Sequence, residues 1–327
     1  MKSAARLIPH HILDESLRLM NQAEITVRNY QPADFREYVL LQAQVEKAEP
    51  MGRCVLSQLI AEQLRRPNHS PKRDLFVAEV GNVIVAHMDI EAELAIDRVV
   101  LDCAVHPEHR RKGLATKLLN HAMNRIKELG VKVVHVNIRQ DNVVAVMTLT
   151  KLGFNLIRQF LELRLDVGDA GDPDIHRDVE WRCLQAGQEG ELTKLQNRAF
   201  ADTWGYNPNT VETIIFRINQ STCSRRDIVL AYDQDEAVGC CWTGISYEEG
   251  IPSVRKGRIH MLGVEPNQRG RGIGRELMLV GLTRLRERGL RVAELTVDSQ
   301  NAAACALYES LGFEVEARTL WYEKPVD

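Results

Sequence analysis

Two stretches of this chain repeat each other without a gap. VHPEHRRKGLATKLLNHAMNRIKELGVKVV begins at Val105 and VEPNQRGRGIGRELMLVGLTRLRERGLRVA begins at Val264, an offset of 159 residues. The same offset carries Pro107 onto Pro266, Arg110 onto Arg269, Gly113 onto Gly272, Gly130 onto Gly289 and Asn142 onto Asn301. It ends by laying Leu152-Gly153-Phe154 over Leu311-Gly312-Phe313. One register held from residue 105 to residue 154 marks a duplicated unit, and such a repeat constrains the fold more than any local propensity. A chain of 327 residues has room for two ordinary domains.

The alternating run Phe160–Leu165 closes the first copy as a strand. Val167-Gly168-Asp169-Ala170-Gly171-Asp172-Pro173-Asp174 follows, and its Gly, Asp and Pro residues are turn and linker chemistry. The expected organisation is an extension over 1–22 with a short amphipathic helix at 10–22, a first copy over 23–166, a linker over 167–177 and a second copy over 178–327. Each copy runs strand, helical sequence (Pro32 to Arg65 in the first), then two β-rich runs. These are 75–80 and 83–88, joined at Gly81-Asn82, and 228–232 and 237–242. Another strand leads into the glycine-rich segment, followed by helix, strand, helix and terminal strand. The expected fold class is α/β with a mixed sheet, in two tandem copies.

Composition narrows the function classes. A net charge of −3 argues against a strongly basic nucleic-acid binder. No run approaches the roughly 18 apolar residues of a membrane span. The opening MKSAARLIPHHILDES lacks an apolar core with a cleavage site, so no secretory signal is expected. Seven irregularly spaced cysteines without a CxxC fit reduced thiols in a cytoplasmic protein, and they suggest no metal site.

The second copy places the strand Ile259–Val264 before Pro266, then Asn267-Gln268-Arg269-Gly270-Arg271-Gly272-Ile273-Gly274. Apolar residues at helical spacing follow, and Gly289 sits where a left-handed cap belongs. A strand, a glycine-rich turn and a helix N-terminus form an anion-binding device, because free N–H groups and the helix dipole converge where glycines permit close approach. The GxxxxGK[ST] pattern is absent, and GxGxxG fails because its third glycine would be Arg275.

At these residues the chain resembles the GNAT superfamily of acetyl-CoA-dependent N-acyltransferases. Arg269-Gly270-Arg271-Gly272-Ile273-Gly274 and Arg110-Arg111-Lys112-Gly113-Leu114-Ala115 are both similar to its Q/R-x-x-G-x-G/A motif, and the segments from Asn301 to Phe313 look like its following helix and strand. The tandem arrangement is similar to mycothiol synthase-like acetyltransferases. The resemblance implies acetyl-CoA as cofactor, with the pyrophosphate on the motif's backbone amides and pantetheine between splayed strands. It implies that Asn301, and Asn142 in the first copy, meets pantetheine, and that Arg269, Arg271 and Arg275 meet phosphates. It also implies a strand break at Leu262, Gly263 or Val264 that frees an N–H for the thioester oxygen; Gly263 makes a bulge easy there.

Asn301 and Tyr308 lie seven residues apart, which puts them on one helix face. By resemblance Tyr308 protonates the departing thiolate, a role suited to a phenol that stays protonated at neutral pH. The first copy keeps Asn142 but has Leu149 at the tyrosine position, so it is expected to be catalytically weak or dead. The base is open: relatives often carry Glu where this chain has Arg258, leaving His260, Glu294 and then Asp298 as candidates. Trp204 and Tyr206 are candidates for an acceptor pocket. The expected activity is acetyl transfer from acetyl-CoA to a primary amine, small-molecule or peptide, by the second copy of a monomer or homodimer. The alternatives are a non-catalytic acyl-CoA-binding module and an enzyme acting on protein N-termini or lysines.

Overall fold

The computed structural model describes residues 25–49, 55–169, 179–248 and 251–326. The helix expected over 10–22 and most of the linker expected over 167–177 lie outside these. The first copy runs β1 (Ile25–Asn29), α1 (Phe35–Ala48), α2 (Ser57–Gln63), α3 (Pro71–Asp74), β2 (Leu75–Val80), β3 (Val83–Glu93), β4 (Arg98–Val105), α4 (Leu114–Leu129), β5 (Val133–Arg139), α5 (Val143–Lys151) and β6 (Asn155–Asp166). The second runs β7 (Glu180–Cys183), α6 (Glu189–Ala199), α7 (Val211–Ile218), β8 (Ile228–Asp233), β9 (Glu236–Glu248), β10 (Ile251–Val264), α8 (Ile273–Glu287), β11 (Val292–Asp298), α9 (Ala302–Ser310) and β12 (Glu314–Pro325).

Helical spacing of apolar residues decides which faces are buried. Leu114, Leu118, Leu119, Ala122 and Ile126 make the buried stripe of α4, and Ile273, Leu277, Met278, Leu282 and Leu285 make that of α8. Gly281 lets α8 lie close on the sheet, because a Cβ there would meet the Cys241 sulfur at 2.6 Å. The six cysteines among the described residues, Cys103, Cys183, Cys223, Cys240, Cys241 and Cys305, are free thiols.

All described strands join one twelve-stranded sheet in the order β1-β2-β3-β4-β5-β12-β6-β11-β10-β9-β8-β7. The order is not that of two adjacent units, because the terminal strands are exchanged. The first copy's β6 pairs with β11, and the second copy's β12 pairs with β5. The registers repeat the sequence offset: Thr319 faces Arg139 as Phe160 faces Asp298, and Pro325 faces Val133 as Asp166 faces Val292. Leu163, Leu165 and Val167 therefore pack into the core under α8, and Leu320 and Tyr322 pack into the core under α4. One sheet face carries α4 and α8; the other carries α1 with α2, and α6 with α7.

The sheet's parallel junctions, β4 with β5 and β10 with β11, are where it opens. β4 meets β5 only over Arg98–Val100, and β10 meets β11 only at Gly257 and Arg258. Beyond those contacts each pair diverges towards the glycine-rich loop.

Candidate active site

In the second copy the divergence leaves one edge of β10 open. The Glu265 N–H bonds the Val238 carbonyl at 2.8 Å, so alternation along the strand turns the Gly263 amide towards β9 and the Leu262 and Val264 amides towards the gap. The strand break lies upstream of its expected place. The register shifts between Ile259 and Met261, which makes His260 the bulged residue, while Leu262, Gly263 and Val264 pair regularly with β9. Gly263 serves close approach instead: a Cβ there would meet the Phe200 ring at 2.7 Å.

After Pro266 the chain makes one tight turn and enters the loop. Gly270 at φ +82° and Gly272 at φ +86° adopt the left-handed conformation, and Gly272 is the N-cap of α8. The Arg275 and Glu276 amides bond the Gly272 carbonyl, whereas those of Gly270 to Gly274 have no backbone acceptor among the described residues. The arginines expected to meet phosphate have protein partners. Arg269 turns inward, its Nε 3.2 Å from the Val264 carbonyl and its terminal nitrogens on the Ala199 carbonyl (2.8 Å) and Asp202 (3.1 Å). Arg271 pairs with Asp233 at 2.7 Å, and Arg275 bonds the Ser310 hydroxyl at 3.0 Å. A guanidinium beside a glycine loop serves equally as phosphate ligand or carbonyl brace, and here the neighbouring carbonyls and carboxylates claim it.

A cleft of about 420 Å³ runs from this loop to α9. It brings together Leu262, Gly263, Val264, Arg269, Gly270, Ile273, Gly274, Asn301, Tyr308 and Trp204 from the expected set, and its lining does not include Arg271, Gly272, Arg275, Tyr206, His260 or Glu294. The Asn301 carbonyl oxygen caps α9 by accepting the Ala304 N–H at 3.1 Å, which leaves its amide nitrogen for the cleft. Tyr308 is 8% exposed and packs edge-on against Phe313. Its hydroxyl has no hydrogen-bond partner among the described residues, and burial pushes its pKa well above that of an ordinary phenol.

Sequence reasoning missed Arg158, which strand exchange carries from the first copy into this cleft. Its guanidinium grips Asp298 at 2.7–3.1 Å and lies over the Trp204 ring at 5.3 Å. The repeat held no signal for it, because the matching residue of the second copy is Ala317. Asp298, a base candidate, is thus a gripped carboxylate on the cleft wall. Tyr206 holds the loop: its hydroxyl donates to Asn197 (2.9 Å), accepts from Asn209 (2.9 Å), and its ring stacks on Phe200.

His260 lies over Gly244 on the face of α6 and α7, open to solvent but walled by protein. That crowding, with the guanidiniums of Arg258 and Arg217 nearby, pushes its pKa down to about 4. Arg258 bonds the Thr296 hydroxyl at 2.5 Å. Glu294 is buried in an ion pair with the buried ammonium of Lys256.

The first copy keeps the frame. Arg110 bonds the Val105 carbonyl at 3.1 Å and pairs with Glu49, Gly113 caps α4 at φ +75°, and Asn142 caps α5 by accepting the Ala145 N–H at 3.0 Å. Lys112 precedes the cap, Ala115 lies in the first turn of α4, and Leu114 is core. Three features differ. Leu149 is buried at the Tyr308 position, β4 pairs with β3 without a break so that Leu101 stands at the His260 position, and Arg111 holds φ +60° where the second copy has Gly270.

No group of three His, Cys, Asp or Glu side chains among the described residues is arranged to hold a metal, and no helix is long and apolar enough to cross a membrane. The acetyltransferase (GNAT) family matches twice, over residues 38–154 and 191–313. The chain is 29% identical over 231 residues to the mycothiol acetyltransferase of Cellulomonas flavigena, covering 68% of this chain and 66% of that protein. It is 34% identical over 221 residues to that of Amycolatopsis mediterranei (65% and 71%) and 28% identical over 284 residues to that of Streptomyces avermitilis (85% and 88%). Among solved structures, the fold is shared with a tandem GNAT protein from the clavulanic acid biosynthesis pathway, at TM-score 0.71 and 18% identity over 93% of this chain and 99% of that one. A GCN5-related N-acetyltransferase from Sphaerobacter thermophilus superposes at TM-score 0.70 and 21% identity, over 92% and 96%.

Proposed function

The chain belongs to the acetyltransferase (GNAT) family and is an acyltransferase, and we propose that its C-terminal half moves an acetyl group from acetyl-CoA to the primary amine of a small molecule. The observation that carries this reading is the Tyr308 hydroxyl, which has no hydrogen-bond partner among the described residues and lines the cleft that also holds the open edge of β10.

The cleft suits coenzyme A. The unengaged amides of Gly270 to Gly274 at the start of α8 match a pyrophosphate, and the open β10 edge offers peptide groups to an amide-bearing chain. Bound there, acetyl-CoA supplies an acyl group on a sulfur leaving group. The Leu262 N–H, aimed into the gap, donates to the carbonyl oxygen where negative charge grows. The Asn301 amide orients the chain of the cofactor. Tyr308 holds its proton throughout the neutral range and releases it to the departing sulfur.

His260 is the proton acceptor in this reading, in preference to Glu294, whose carboxylate is held by Lys256. A pKa near 4 keeps the imidazole neutral at neutral pH and also makes it a weak base, so it needs an ammonium that gives up its proton readily. The same guanidiniums lower the pKa of any ammonium docked beside them, which makes the acceptor easier to deprotonate. Trp204 packs with Phe160, Trp321 and His135 across the sheet face, and this aromatic wall favours a small acceptor over an extended peptide. The relatives' activity makes a mycothiol-type amine the first acceptor to try. Arg258, at a position where relatives often carry Glu, argues that the acceptor differs in charge from theirs.

The test is thiol release from acetyl-CoA with a panel of mycothiol-type amines, aminoglycosides and peptides, with Tyr308→Phe beside the wild type. Amine-dependent release that the variant loses supports the reading. Equal release by both would remove Tyr308 as the acid.

A further inference from the structure

We propose that the N-terminal half has a working pocket for a small hydroxylated primary amine, which it binds without acetylating. A cavity of about 470 Å³ opens on the face of α1 and α2, where β4 and β5 diverge. Its wall carries four carboxylates, Asp89, Glu91, Asp102 and Glu162, against two guanidiniums. Both guanidiniums are engaged: Arg66 with Asp89 at 2.8 Å, and Arg139 with Asp141 at 3.2 Å. Glu91 has no ion-pair partner among the described residues, and Glu162 accepts the Thr319 hydroxyl and interacts electrostatically with the more distant Arg258 guanidinium.

A second observation points the same way. Gln42 is 7% exposed on the cavity wall. Its amide nitrogen donates to the Tyr38 hydroxyl at 3.0 Å, while its Oε1 has no donor among the described residues. A buried polar atom left without a partner is uncommon in a native interior and leaves this wall of the cavity short of a donor. Gln42 Oε1, Glu91 and Glu162 are all acceptors short of donors, and an ammonium group with neighbouring hydroxyls supplies donors together with the complementary charge.

The N-terminal half lacks the parts that would turn such a ligand over. Leu149 has no proton to give, and β4 has neither the break nor the imidazole of β10. Glu162 and Thr319 reach the pocket from the exchanged strands, so an occupant rests on β6, the strand that also carries Arg158 to the C-terminal cleft.

Hydrogen–deuterium exchange on the full chain, with glucosamine and ethanolamine as probes and N-acetylglucosamine as the neutral control, tests this directly. Slowed exchange over 35–48 is expected with the amines and not with the control. Tyr308→Phe should keep this protection while losing turnover, which separates the proposal from the acetyl-transfer reading. Glu91→Gln/Glu162→Gln should require about tenfold more amine or greater, the loss of a charge-assisted bond. Gln42→Leu, which deletes the unpaired acceptor, should weaken protection in the same direction even if the double variant fails to fold. No protection by either amine, equal protection by the neutral control, or protection unchanged in Gln42→Leu would each overturn the proposal.

Discussion

The two halves share a binding frame and differ at the point where bonds would be made. Arg110 and Arg269 brace the same carbonyl, Gly113 and Gly272 cap the same helix, and Asn142 and Asn301 cap the next one with the same bond. Against that constancy stand Leu149 for Tyr308 and an unbroken β4 for the bulged β10. The frame is a property of backbone conformation, held by left-handed glycines and caps. In the proposed reading the chemistry rests on Tyr308 and His260, neither of which forms the glycine turns or the caps, so one half can lose it and keep that frame. The strand exchange adds a reason for the first half to persist: it supplies Arg158 to the second half's cleft.

The largest test of that separation is at Tyr308. Tyr308→Phe should lower kcat about a hundredfold or more while leaving acetyl-CoA affinity nearly unchanged, measured by steady-state thiol release and calorimetry. The converse change, Leu149→Tyr in a Tyr308→Phe background, should restore nothing, because β4 keeps its regular pairing. Restored turnover would show that the side chain alone distinguishes the halves.

Arg158→Ala asks whether the exchange matters to function. It leaves the Asp298 carboxylate, 6% exposed, without its guanidinium and removes the cation under Trp204. The acceptor KM should rise about tenfold with a smaller change in kcat, and Arg158→Lys should recover only part, since a point charge cannot make the two-pronged contact. An unchanged KM would confine Arg158 to packing.

A weaker contrast is in pH. The folded pKa of His260, about 4, lies below its ordinary 6.5, so the fold favours the neutral ring. Its contribution to stability is complete above pH 6.5 and fades as pH falls towards 4. Leu101 stands at this position in the first half, although His135, lowered chiefly by burial, adds the same sign there. His260→Asn should therefore shrink the drop in Tm between pH 7 and pH 5 without abolishing it. An unaltered drop would place the acid sensitivity elsewhere.

The smallest contrast is conformational. Arg111 bears φ +60°, which costs an L side chain about 1 kcal/mol, at the position where Gly270 bears φ +82° at little cost. Arg111→Gly should stabilise the chain by about that amount and Gly270→Ala should destabilise it similarly, read from denaturant midpoints. Effects of opposite sign would mean that Arg111 gains more from its contacts than its backbone loses.

Much of the frame was legible before the structure. The fixed offset announced the duplication, Gly272 and Gly289 marked the ends of α8, and the spacing from Asn301 to Tyr308 put both in one cleft. The exchange was not legible, because the alternation of Leu161, Leu163 and Leu165 says which face is buried but not which half's core receives it. Glycine eases a bulge, so the sequence points to Gly263, yet that glycine makes room for Phe200 and the break falls on His260. Arg158 was invisible because the repeat predicts only what both halves share.

Both halves keep the loop, and in the proposed reading only the second transfers acetyl groups. Gly272→Val and Gly113→Val test it most directly, since each forces a β-branched residue into a left-handed cap, at φ +86° and +75°. Thiol release from acetyl-CoA with the best acceptor should collapse in Gly272→Val and persist in Gly113→Val, provided both variants stay folded. Activity lost in Gly113→Val and kept in Gly272→Val would put the chemistry in the first half and contradict the account.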